Sequence, residues 1–97
     1  MIGSFHDRGT EDIFDRRSTQ AARRRRPELV WSVARRKLDQ LNAAVSLGSL
    51  SIPPGNRLEA LKEDRQGQHS IRINQQFRVC FIWTDQGPER VEVTDYH

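Results

Sequence analysis

A single cysteine, Cys80, excludes an internal disulfide, and no cluster of cysteines and histidines has the spacing of a zinc site. No apolar run approaches the roughly 20 residues that a membrane-spanning helix needs. The opening Met1-Ile2-Gly3-Ser4-Phe5-His6-Asp7 lacks the long apolar stretch of a signal peptide. These absences predict a soluble, unexported protein of a reducing cytoplasm, with no membrane partner, no metal and no other cofactor. Large apolar side chains are also scarce: 35% of the residues are apolar and two are tryptophan. In a chain of 97 residues that supply builds one modest core, a helix layer against a sheet, and hence a single domain spanning 1–97.

What the chain has in quantity is arginine. Lys plus Arg number 16 against 13 for Asp plus Glu, and only Lys37 and Lys62 are lysines. The sequence pI of about 9.7 suits an anionic partner. The guanidinium fork suits it further, because it binds phosphate bidentately and stacks on bases. A genome rich in G and C raises arginine too, so composition leaves both explanations open.

Along the chain, Ile2 to Phe5 reads as a short strand, and Thr10-Glu11-Asp12-Ile13-Phe14 as one or two helical turns starting near Gly9 or Thr10. From Arg16 to Arg26 there are six arginines, no acids and hardly an apolar side chain larger than alanine. Neither period can bury a face there, which predicts a mobile loop or a solvated helix extension. Pro27 and Glu28 then open a long helix, proline being tolerated in a first turn and the acid complementing the helix dipole. Val30, Ala34, Leu38, Leu41 and Val45 form its packed face, with Arg35, Arg36, Asp39 and Gln40 opposite.

Gly48, Pro53, Pro54 and Gly55 make 46–56 a connecting loop. Beyond it the period becomes two, predicting strands at 57–62, 68–73, 77–83 and 90–93 joined by short turns, an antiparallel meander. The expected class is α+β, with the long helix on one sheet face.

Alternation points Arg72 and Arg78 away from Ile71, Ile73, Phe77, Val79 and Phe81, onto the face the helix leaves open. A central hairpin is a rigid mount for groups that clamp a phosphate. Alone, either arginine would read as part of a solvated strand face. The ending Asp95-Tyr96-His97 places a carboxylate, a phenol and an imidazole in succession, each able to move a proton. Strict alternation sends Asp95 and Tyr96 to opposite sides, so a bend or bulge near Thr94 is expected if they are to act together. His6 stands alone, and His69 shares the parity of Ile71 and Ile73, which predicts a packed, hydrogen-bonded ring. Glu59 and Lys62 on the first meander strand either face the same groove or form an ordinary surface pair.

Pro53-Pro54-Gly55-Asn56-Arg57-Leu58, the run from Leu61-Lys62-Glu63-Asp64 through Ile71-Arg72-Ile73-Asn74, Phe77-Arg78-Val79-Cys80-Phe81-Ile82-Trp83 and the ending Val93-Thr94-Asp95-Tyr96-His97 resemble the HigB-like branch of the RelE/ParE toxins. The resemblance implies a compact α+β fold and a metal-independent, ribosome-dependent cut in messenger RNA at the decoding site. It also implies a HigA-type helix-turn-helix antitoxin as partner, with operator DNA engaged only through that antitoxin. Carried over by position, Arg78 matches a phosphate-contacting arginine, and Asp95, Tyr96 and His97 match the functional ending. Arg72 and Lys62 match basic positions of the groove. Glu59 departs from relatives that have histidine there, which shifts proton transfer toward His97.

The resemblance thus implies Arg78 and Arg72 for charge stabilisation, Lys62 for a similar or proton-donating role, His97 and Asp95 for proton transfer, and Tyr96 for orienting or stacking. Arg23, Arg24, Arg25, Arg26, Arg35, Arg36 and Arg65 are the candidates for gripping RNA phosphates. Two rivals remain at this level: a ParE-like inhibitor of gyrase, and a basic nucleic-acid-binding regulatory module, the latter without a helix-turn-helix signature to support it.

Overall fold

The computed structural model of the chain describes residues 1–24 and 26–95. Three helices precede a four-stranded antiparallel meander: α1 (Arg8–Phe14), α2 (Gln20–Arg23), α3 (Trp31–Ala43), then β1 (Glu59–Ala60), β2 (His69–Arg72), β3 (Phe77–Thr84) and β4 (Gly87–Asp95), in sheet order β1-β2-β3-β4. The α+β class is therefore observed as read. One sheet face, carrying Ile71, Ile73, Phe77, Val79, Phe81, Val91 and Val93, packs with Trp31, Ala34, Leu38 and Leu41 of α3 and Ile13 of α1 into a single core.

The two short helices start where a polar side chain can satisfy an open N–H group. The Asp7 carboxylate accepts from the Thr10 amide to cap α1, and the Thr19 hydroxyl accepts from the Ala22 amide to cap α2. Gly9 is required by packing, since a Cβ there would collide with the Ala21 carbonyl oxygen. The long helix begins as a 3₁₀ turn at Glu28–Val30 and ends at Ala43. Val45, expected on its packed face, therefore lies beyond the helix and is 92% exposed.

The described residues of 16–26 are more structured than their composition suggests. The short α2 buries Ala22 completely, and Arg26 is 7% exposed. Periodicity missed this because the buried surface comes from one alanine and the stem of one arginine rather than an apolar stripe. At the start of the chain, Ile2 to Phe5 is extended but makes only one parallel bridge, Phe5 to Val91, alongside β4. The first meander strand shrinks to two residues because Arg57 adopts a left-handed conformation, with φ 46°.

That left-handed turn is held by Asn56, which is fully buried. Its amide donates to the Gln40 side chain and to the Leu50 carbonyl at 3.1 Å each, and its oxygen accepts from Lys37. The Pro53–Arg57 segment is in this way tied to α3, and the position of the Arg57 carbonyl follows from it.

Candidate functional site

On the sheet face opposite α3, strand register brings the sequence's charged residues into rows. Glu59, Ser70, Cys80 and Glu92 are successive partners across all four strands, and Arg72, Arg78 and Thr94 form the next row. Arg72 and Arg78 thus sit directly opposite each other. Like charges in that relation destabilise a sheet unless something offsets them.

Both guanidiniums are held by neutral oxygens. Arg78 donates from Nε to the Ser70 hydroxyl at 2.6 Å and from Nη2 to the Arg57 carbonyl at 2.8 Å. Arg72 donates from Nε to the Asn74 carbonyl at 3.0 Å. The Asn74 side chain in turn accepts from the Gln76 and Phe77 amides, which stiffens the β2–β3 turn. Ser70 is fully buried, so its hydroxyl is a fixed acceptor. Among the described residues the hairpin therefore orients two cations with no carboxylate paired to either, an arrangement that suits an anion carried by a ligand.

The Cys80 thiol is fully buried in the neighbouring row of the same face. Burial pushes its pKa up to about 11, Arg65 and Arg78 working against that rise and Glu92 and Glu59 with it. It is part of the packing rather than a nucleophile.

Other expected residues are placed as follows. Asp95 is exposed and accepts from the Gln76 side chain at 2.8 Å. β4 stays in register through Arg78 with Thr94 and Phe77 with Asp95, so the bend expected near Thr94 is absent from the described residues; the irregularity lies between Cys80 and Ile82. Tyr96, His97 and Arg25 lie outside the described residues. Lys62 is exposed at the start of the 3₁₀ turn Glu63–Arg65, and Glu59 is exposed on β1.

The expected RNA-gripping arginines divide. Arg24 and Arg36 are exposed, and Arg23 is exposed beside Glu28 at 2.8 Å. Arg35 is half-buried, donating to the Ile13 carbonyl at 3.1 Å with its guanidinium 5.6 Å from the Trp31 ring centre. Arg65 is half-buried and reaches the Gln68 and Glu92 side chains at 3.2 Å each. Arg26 needs correction: it is buried, pairs with Asp7 and donates to the Val93 carbonyl at 2.7 Å, so its charge is spent inside the protein. Burial opposes ionisation of Asp7, but the Thr10 hydrogen bond and the Arg26 charge outweigh it and hold the carboxyl below its ordinary 3.8.

Two residues gain importance that spacing alone did not reveal. His6 lies beside β4 because its amide donates to the Val91 carbonyl, and its Nε2 is 3.9 Å from Glu92. No local signal marks this pair; it exists only because the chain start runs parallel to β4. His69 stacks on Phe81 with ring centres 6.3 Å apart, as its parity predicts, but its Nδ1 is buried without a hydrogen-bond partner among the described residues. Among the described residues no group of His, Cys, Asp and Glu could hold a metal ion.

The fold and sequence place the chain among known toxins. A chain from the YoeB–YefM complex of Staphylococcus aureus superposes with a TM-score of 0.60 at 15% identity, covering 100% of this chain and 98% of that one, a likeness of fold. The protein named Toxin HigB-1 of Vibrio cholerae serotype O1 is 37% identical over 85 residues, 88% of this chain and 86% of that protein. An uncharacterized protein of Haemophilus influenzae is 36% identical over 55 residues, 57% of this chain and 54% of that one. The family model for the RelE-like toxin of the type II toxin–antitoxin system HigB matches residues 3–97, and the chain therefore belongs to the HigB-like toxins.

Proposed function

We propose that this toxin is a ribosome-dependent endoribonuclease that cuts messenger RNA at the decoding site without a metal, and that it is neutralised in the cytoplasm by a HigA-type antitoxin. The observation that carries the reading is the Arg72–Arg78 pair: two cations side by side on the helix-free face, fixed by neutral acceptors.

In such a cut the ribose 2′-hydroxyl attacks the adjacent phosphorus while the 5′-oxygen of the next nucleotide leaves. Negative charge builds on the phosphoryl oxygens, which Arg78 and Arg72 are mounted to receive. Lys62 adds charge or a proton from the β1 side. Proton removal and return are assigned to His97 and Asp95, with Tyr96 orienting the nucleotide; for Tyr96 and His97 this assignment rests on family resemblance. A ribosome that already holds the message in reactive geometry supplies part of the barrier lowering, which explains why so few protein groups suffice. Exposed Arg36 then serves to hold ribosomal RNA by its phosphates.

The test is cleavage of a translated message by purified ribosomes with wild type, Arg78→Ala and a chain lacking His97. Cutting should fall at least about a hundredfold in Arg78→Ala and to background without His97. Undiminished cutting by both variants refutes the site, and no cutting by the wild type refutes the activity.

A further inference from the structure

An open depression of about 620 Å³ runs along the outer edge of β4, lined among the described residues by His6, Asp7, Arg24, Arg26, Glu92, Val93, Thr94 and Asp95. It adjoins the candidate site directly, because Thr94 is the strand partner of Arg78. Its volume falls within the range of about 300–1,000 Å³ typical of pockets that take small molecules.

The wall charges are not equivalent. Arg26 and Asp7 neutralise each other, and among the described residues this leaves Arg24 as an exposed cation and Asp95 as an exposed carboxylate on the wall. Glu92 has a side chain only 16% exposed, held on one oxygen by Arg65 and facing His6 with the other. The His6 ring is 48% exposed, with its Nε2 3.9 Å from that carboxylate. A half-exposed imidazole and an exposed arginine lining one depression match the way proteins hold unstacked RNA nucleotides, the base on a flat ring and the phosphate on an arginine.

We propose that this depression is a subsite for one unstacked nucleotide of the message, flanking the cleaved linkage, with its base against His6 and its phosphate on Arg24. Glu92 is a positioning residue that fixes the imidazole and offers its carboxylate to an amino group on the base. The inference rests on the ribonuclease reading for the word flanking, whereas binding of single-stranded RNA at His6 and Arg24 can be measured without any cleavage.

The experiment has two arms. In the first, wild-type protein is titrated with a single-stranded RNA hexanucleotide of mixed sequence while the His6 ring and Arg24 Nε–H resonances are followed by NMR. Both should shift and saturate together; His6→Ala and Arg24→Ala should each weaken binding about tenfold, and His6→Phe, which keeps a flat ring, should recover most of that loss. In the second, the same proteins cut ribosome-bound messages that differ only at the nucleotides beside the cut. His6→Ala should raise KM about tenfold and flatten the base preference at one flanking position.

RNA that shifts Arg72 and Arg78 but leaves His6 and Arg24 unmoved overturns the subsite, as does a folded His6→Ala with unaltered affinity and base preference. A wild type that binds RNA at His6 but cuts nothing sinks the ribonuclease reading and leaves the subsite standing.

Discussion

Arg26 and Arg78 are both arginines that donate to backbone carbonyls, yet they sit in opposite electrostatic circumstances. At the α1–β4 edge, Arg26 is buried and paired with the Asp7 carboxylate, so its charge is consumed in joining the α2 region to the last strand. On the β2–β3 hairpin, Arg78 is half-exposed and its hydrogen bonds end on a hydroxyl and a carbonyl, so its geometry is fixed by neutral groups and no described carboxylate takes its charge. The difference teaches that arginine content says little about where RNA is held. What matters is whether the partners of a guanidinium are charged or neutral.

The largest expected effects test that contrast directly. Arg78→Ala should lower ribosome-dependent cleavage at least about a hundredfold while leaving the urea midpoint nearly unchanged. Arg26→Ala should do the reverse, costing about 3 kcal/mol of stability because it strands a partly buried carboxylate, with cleavage per folded molecule intact. Urea titration beside a cleavage assay separates the two; equal loss of stability in both variants would break the comparison.

A smaller effect is expected at Ser70. Ser70→Ala removes the acceptor of Arg78 Nε and should lower cleavage about tenfold through misplacement of the guanidinium, with little change in message binding. A comparable fall in the urea midpoint would point instead to damaged packing.

Asp7 sharpens the other side. Its folded carboxyl lies below its ordinary value of 3.8, so the stability it contributes is fully present above that value and is lost as the pH falls through the folded one. Asp7→Asn should be less stable at neutral pH and should lack that component of acid destabilisation. Urea midpoints followed from neutrality down through the carboxylate range should show the two proteins converging at the acid end; a constant gap would show that Asp7 is not the titrating group.

The smallest expected change is at Cys80. With its thiol pushed up to about 11, the folded protein should barely react with a thiol reagent at mildly alkaline pH, whereas urea-unfolded protein should react at once. Rapid labelling of the folded chain would mean that the packing in the row beside Arg78 opens.

Much of this architecture is legible in the residues themselves. The switch from a three-to-four-residue period at Val30–Leu41 to alternation at Ile71–Phe81 marks the helix and the hairpin, since neighbours within one turn or one pleat decide which face is apolar. The same alternation places Arg72 and Arg78 on the open face. Element ends are less legible: Val45 keeps the apolar pattern although the helix has ended, and Arg57 continues an alternating run although its backbone turns left-handed under the hold of Asn56.

The sequence by itself determined the fold class, the sheet face on which the hairpin arginines stand and the family motifs, because those depend on local periodicity and residue type. Only the tertiary structure decided which cations pair with a carboxylate, and that His6 meets Glu92 beside β4. A charge acquires its partner from chain segments far away in sequence, and no local pattern records which segment that will be.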